Sequence, residues 1–238
     1  MTNQQLHEYR TLTKSYKGRF PFKICTTSFI YPDHYIPNVK MLGPYMDEIE
    51  LLLFESRGVD SIPSKAVVAE LELLGREFDL SYNVHLPTDV SLTDRSPTRQ
   101  QTALESMIRV IERVRPLLPS ALVLHLPYDG ISWVQNTAEW LDNVYENVEK
   151  ILPSVGNSKL LAIETLDYPL ELLADVIVDL DLSICLDLGH LMVYDHDLVE
   201  VFNKYGFKTS VIHLHGVENG HAHMALDRLP ANLASSVL

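Results

Sequence analysis

Seven short runs of strand-forming residues recur along the chain, each followed by a stretch with helical periodicity. The runs are FKICTTS (22–28), EIELLLF (48–54), SYNVHL (81–86), ALVLHL (121–126), LLAIETL (160–166), SICLDLG (183–189) and VIHLHG (211–216). Several are apolar almost without interruption. That suits strands buried on both faces, as in a parallel sheet covered by helices, and not the strict alternation of a half-exposed antiparallel sheet. Parallel neighbours need long crossovers, and the intervening segments are long enough to supply them as helices.

The helical segments carry start signals. Pro63-Ser64 precedes KAVVAELELLGREF, and Ser96-Pro97 precedes TRQQTALESMIRVIERVR, with proline where a missing N–H costs nothing. Thr137 stands where it can cap AEWLDNVYENVEKIL, in which Trp140, Val144 and Val148 recur every fourth residue. Further helices are expected near PLELLADVIVDL and HDLVEVFNKY. The fold class expected is α/β. No Gly-x-Gly-x-x-Gly follows the first run, where the turn reads TTSFIYPD, and no Walker-type phosphate loop is present. The nucleotide-binding open sheets therefore lose their main signature.

The ends of the runs favour a closed barrel instead. The second run is followed by Glu55; the third ends in His85, the fourth in His125 and the fifth in Glu164. The sixth supplies Asp187 with His190 just beyond, and the seventh His213 and His215, followed by His221 and His223. A β/α barrel brings the C-terminal ends of all its strands to one mouth, whereas an open sheet would spread them along a line. Imidazole and carboxylate are the ligands of zinc, manganese and iron. A carboxylate such as Glu164 in an apolar strand is costly to bury unpaired, and one carboxylate can bridge two ions. His85 and His125 share one local pattern, VHLP and LHLP. Alternate residues share a strand face, so the sequence leaves open which of His213 and His215 is a ligand.

Composition limits the function. A formal net charge of -13 argues against a broad nucleic-acid footprint, which needs a basic face. Cys25 and Cys185, the only cysteines of the 238 residues, lie in apolar runs and are expected as buried, reduced thiols. Residues 1–20 are expected to form a loosely held arm, and 21–238 a single domain. No apolar stretch has the length of a signal peptide or membrane span, so a cytoplasmic protein is expected.

The stretch HLPTDVSLTDRSPTRQQTALESMIRVIERVRPLLPSALVLHLPYDG, with ETL, DLGH, HLHG and the later HAH, resembles the xylose isomerase-like TIM barrels, a superfamily that includes endonuclease IV-type enzymes. The resemblance implies a (β/α)8 barrel and, in the endonuclease IV type, three zinc ions. It implies His85 and His125 on one metal, with Glu164 bridging to a second that Asp187 and His213 complete. His190, His221 and His223 are implied for a third, although the family usually has Asp where this chain has His221. The opening CTTSFIYPDHYIPNVKMLGPYMDEIELLLFES, with the paired HLP motifs, looks like the cobamide-remodelling phosphodiesterases of the superfamily. The resemblance also implies an eighth strand ending in a glutamate. None is legible before LDRLPANLASSVL ends, so the expectation is either a truncated sequence or a barrel lacking its eighth strand and left open between strands one and seven, its edges covered by dimerisation.

The function expected is metal-dependent hydrolysis of the nucleotide-loop phosphodiester of a cobamide, using two or three divalent ions, zinc or manganese. Glu164, His190 and His215 are the catalytic candidates. Glu55, Arg95 and Arg228 are candidates for binding substrate. The alternative is a sugar (phosphate) isomerase or epimerase with one ion held by Glu164, Asp187 and His213. An apurinic-site endonuclease and a non-catalytic metal or corrinoid binder are weaker alternatives. Neither a nucleic-acid nor a membrane partner is expected.

Overall fold

A computed structural model describes residues 9–56, 61–128 and 137–229. Seven parallel strands lie side by side in chain order: β1 (Cys25–Thr27), β2 (Glu48–Leu52), β3 (Ser81–His85), β4 (Leu122–Leu124), β5 (Leu161–Glu164), β6 (Ser183–Asp187) and β7 (Thr209–His213). The sheet curls into an incomplete barrel, and among the described residues β1 and β7 each pair on one side only. All seven expected strands are present, most of them shorter than the apolar runs that announced them.

The helices lie between strands: α1 (Tyr35–Leu42), α2 (Lys65–Glu77), α3 (Pro97–Val114), α4 (Ala138–Val155), α5 (Ala174–Asp179), α6 (Leu188–Val193) and α7 (Leu198–Tyr205). Ser64 caps α2, its side chain accepting the Val67 N–H at 3.2 Å. Pro97 occupies the first turn of α3. Thr137 precedes α4 but makes no side-chain cap, because it already has helical backbone angles where a cap needs extended ones. Helices bury one stripe against the outer face of the sheet: Val68, Leu71 and Leu74 of α2, and Trp140, Val144, Val148 and Ile151 of α4. The core between sheet and helices is one continuous apolar cluster.

The inner face of the sheet is different. Val123, Ala162, Cys185 and Val211 form a small cluster of their own inside the barrel. Two residues further along the same strands stand His125, Glu164, Asp187 and His213. Because the strand period is two, each ligand type faces the same interior as the small residue beneath it. The polar layer therefore rests on an apolar floor. Nearer the bottom, Glu48 of β2 is fully satisfied by Lys23, Ser81, Asn83 and Ser120, whose nitrogen and hydroxyl donors lie 2.6–3.2 Å away.

The structure departs from expectation in two places. The seventh strand ends at His213, and the chain then folds into an antiparallel hairpin, β8 (Gly216–Glu218) with β9 (His221–Met224), so His215 lies in the link beyond β7 rather than on its face. Cys25 is exposed because β1 has a free edge, whereas Cys185 is buried in β6 as expected. Residues 9–20 are held under the barrel: Gly18 N–H donates to Asp47 Oδ1 at 2.7 Å, Tyr16 N–H to the Tyr45 carbonyl at 3.2 Å, and the Lys17 ammonium reaches the Phe78 carbonyl. No helix among the described residues is long and apolar enough to cross a membrane.

Candidate metal centre

Glu164 ends β5 only 2% exposed, and its two oxygens organise the site. His85 and His125 bring Nε2 to within 3.1 and 2.9 Å of Oε2. On the other side, His213 Nδ1 and His190 Nδ1 stand 3.4 and 3.6 Å from Oε1. Asp187, fully buried at the end of β6, caps α6 by accepting the His190 N–H at 2.7 Å. His215 Nε2 lies 3.0 and 3.1 Å from its two oxygens. His215 Nδ1 lies 2.9 Å from the His223 backbone nitrogen and 3.2 Å from the Gly216 carbonyl, which hold the ring with its Nε2 toward Asp187.

Four overlapping groups bring three ligand atoms within 4.8 Å of one another: His85, His125 and Glu164; Glu164, Cys185 and His213; Glu164, Asp187 and His190; and His190, His215 and His223. The ring tautomers show how the set fits a cation. His85 Nδ1–H donates to the Leu86 carbonyl at 3.0 Å, so its Nε2 lone pair faces a Glu164 oxygen. His190 Nδ1–H donates to the Thr165 carbonyl at 2.9 Å, so its Nε2 faces His223 Nε2 at 3.3 Å. That bond also commits His190 to the group with His215 and His223 rather than to the group that would use its Nδ1. A lone pair aimed at another acceptor is relieved only by a proton or a cation between them, and backbone carbonyls orient metal-binding imidazoles in this way.

The electrostatics agree. Burial would raise the Glu164 carboxyl, but the imidazoles of His125, His213 and His85 around it outweigh that and hold it well below its usual range. Burial opposes ionisation of Asp187 too, and the bonds to His213 and His215 again hold it down. Burial would lower His213, yet Cys185, Glu50 and Asp187 push it well above the ordinary imidazole value. Burial, ahead of every other influence, drives the Cys185 thiol up to about 12. His223 is lowered, by burial and by the neighbouring His215. The cluster stores protons between acceptors, which is where divalent ions fit; their identity and number are not fixed by this donor set.

The site floors a cavity of about 880 Å³ whose lining includes Glu50, His85, His125, Glu164, Asp187, His213, His215 and His223 and, among the described residues, neither Lys nor Arg. Not every sequence candidate reaches it. Glu55 is exposed and accepts a bond from the Ser61 hydroxyl at 3.1 Å. Its place inside the barrel is taken by Glu50, 5% exposed, three residues into β2. The last polar residue of the run faces outward, whereas the alternation Glu48, Glu50 within an apolar stretch is the signal that marks the inward face. Arg95 is exposed on the loop before α3, outside the cavity lining. Arg228 is paired with Glu218 at 3.0 Å. His221, at the exposed start of β9, belongs to none of the four groups, and His215 stands with His190 and His223 instead. Cys185 joins one group, which the sequence reading missed because it was counted as core.

A family model described as "Xylose isomerase-like TIM barrel" matches residues 39–230. No curated protein matches the chain in a sequence comparison. Among solved structures, it is similar to a D-tagatose 3-epimerase-like protein, with 19% identity, a TM-score of 0.69, and coverage of 85% of this chain and 79% of that one. It is similar to the apo form of the 3-keto-D-glucoside 4-epimerase YcjR from E. coli at 14% identity and TM-score 0.65, covering 82% and 79%. It is also similar to endonuclease IV from Thermus thermophilus at 19% identity and TM-score 0.63, covering 85% and 80%.

Proposed function

From the premise that the chain belongs to the xylose isomerase-like TIM-barrel family, we propose that it is a metal-dependent enzyme that hydrolyses a phosphodiester at the barrel mouth. The observation that carries this reading is the excess of imidazole: His85, His125, His190, His215 and His223 surround the Glu164–Asp187–His213 set that a single-ion isomerase would use. Overlapping groups that share Glu164 suit two or three ions, zinc or manganese, which Glu164 would help to hold. Bound ions would supply activation of water at neutral pH and neutralise charge developing on the phosphoryl oxygens.

The chain's own residues then do the rest. Glu164 and Asp187 hold their charge despite burial, so the set stays anionic and ready for cations. His190 and His215 are the candidates to protonate a leaving oxygen, since both sit at the rim of the buried carboxylates. Among the described residues the cavity is lined by neither Lys nor Arg, so the contacts they offer a phosphate are the ions they would hold and neutral donors such as Thr88 and Asn83. The same lack speaks against a long nucleic-acid track. Among phosphodiesters, the likeness of the opening segment and the paired HLP motifs to cobamide-remodelling enzymes supports a cobamide.

The second reading is a sugar isomerase or epimerase, and the two epimerase structures support it more directly than they support hydrolysis. Glu164, Asp187 and His213 would hold its single ion, and Glu50 would be its second buried carboxylate. One experiment separates the readings. The full chain is incubated with zinc or manganese and, separately, a cobamide, a ketose and an abasic duplex. Cobamide cleavage that vanishes in Glu164→Ala supports the first reading, and ketose epimerisation the second. Tight metal binding without any turnover would reduce the protein to a binder.

A further inference from the structure

We propose that Glu50 is a positioning residue of the metal centre: it takes the Nε2–H of His213 and so commits the Nδ1 lone pair of that ring to the space between Glu164 and Asp187. The two carboxylates on the inner face of β2 have opposite surroundings. Glu48 accepts from four donors. Glu50 is 5% exposed, and its Oε1 has no hydrogen-bond partner. His213 Nε2, also buried, lacks one too. Yet Glu50 Oε2 and His213 Nε2 stand only 3.1 Å apart. An orphaned imidazole nitrogen that touches a carboxylate, whose other oxygen is itself unpartnered, is one half of an unaligned hydrogen bond, and buried polar atoms in folded proteins are seldom left so. The opposite nitrogen of the ring, Nδ1, is 3.4 Å from Glu164 Oε1 and 3.6 Å from Asp187 Oδ2, distances that leave room for an ion and are too long for good hydrogen bonds. A small turn of the ring that seats Nδ1 among ligands would straighten the bond to Glu50. A carboxylate behind a ligating imidazole fixes its tautomer and raises its basicity.

Position in the fold supports the assignment. β2 and β7 are not neighbours in the sheet, so Glu50 meets His213 across the barrel interior, on the side where β1 and β7 have no strand between them among the described residues. Among the described residues no lysine or arginine lines the cavity to compete for the carboxylate.

The inference rests on the metal reading, and its test is built to separate the two. Zinc affinity is measured for the full chain, Glu50→Ala and Glu50→Gln, with the melting of each metal-free protein as a fold control. Zinc-loaded protein carrying ¹⁵N-histidine is followed by NMR. The expected result is a loss of roughly 10–100-fold in affinity for the alanine variant, within the range for outer partners of metal ligands, and near-recovery in glutamine, whose amide oxygen still accepts the N–H. His213 should be metallated at Nδ1 with a slowly exchanging Nε2–H in the wild-type and glutamine proteins, and should lose that protected proton in the alanine variant. Zinc bound through His213 Nε2, or unchanged affinity in Glu50→Ala, overturns the role of Glu50 alone. A wild-type chain that binds no ion overturns the metal reading itself. If Glu50→Ala does not fold, the wild-type and Gln spectra decide.

Discussion

Gly189 offers a way to damage the site while sparing the fold. It is the second residue of α6, and a methyl group there would overlap Cε1 and Nδ1 of His215 and stand 2.5 Å from Nε2. The ring must swing away in Gly189→Ala. It would lose its contacts of 3.0 and 3.1 Å to Asp187 and the 2.9 Å bond from the His223 N–H. A hydrogen bond to a charged group contributes ~1.5–3 kcal/mol, while alanine in place of glycine returns up to ~1 kcal/mol of helix propensity. The net cost is therefore about 0.5–2 kcal/mol, or a few degrees of melting temperature for a domain of this size. The metal centre suffers more. His215 leaves the group it forms with His190 and His223, and the ion held there should bind at least ~100-fold more weakly, about 2.7 kcal/mol. Competitive chelator titration of zinc would read this, with His215→Ala giving a similar loss and the double variant little more than either. A Gly189→Ala protein with wild-type affinity and full metal content would refute the argument. So would a collapse in melting temperature with the metal retained.

Four further outcomes follow from the same geometry. Glu164→Ala should abolish tight binding at every group but that of His190, His215 and His223, so metal analysis should find a partial complement. Metal-free protein should be most stable between about pH 4.5 and 6.5. The raised His213 and His215 contribute fully below their ordinary 6.5 and lose their contribution as pH rises through their elevated values, whereas the depressed Asp187 and Glu164 contribute above 3.8 and 4.5 and fail as pH falls through theirs. Denaturant melts of chelator-treated protein at pH 5.5 and 8.5 would test this, with the higher pH expected to be less stable. Leu71→Ala, in the fully buried contact face of α2, should cost ~2–5 kcal/mol by the same assay without changing metal content, and a loss of metal from folded protein would contradict the separation of core and site. A thiol reagent should count one accessible cysteine, Cys25, in the native protein and two after denaturation.

Much of the fold was legible because buried parallel strands announce themselves as apolar runs, and the polar residues that interrupt those runs stand out. His85, His125, Glu164 and Asp187 were readable for that reason: each follows apolar residues at a strand end and has no other cause to be there. Glu50 was not, because attention to the final polar residue of each run led to Glu55, which the chain turns outward beyond β2. The hairpin β8–β9 was missed because its strands are three and four residues long, too short for periodicity to register. It is nevertheless what carries His223 back over His190, and so exchanges the expected partner His221 for His215. Tertiary placement of a short loop is a property of contacts across the barrel, which no local pattern records.

The cavity has a further consequence, for charge. Among the described residues its lining contains three carboxylates, Glu50, Glu164 and Asp187, and neither lysine nor arginine. Without ions the mouth therefore repels anions, as does a chain of net charge -13. Two divalent cations would bring four positive charges against those three negatives and reverse the sign of the mouth. The field there would attract an anion against the background of the rest of the surface, and that attraction would weaken as salt screens it. Loading would thus act as a gate on encounter as well as on chemistry: the empty centre turns an anionic substrate away before any bond is at stake.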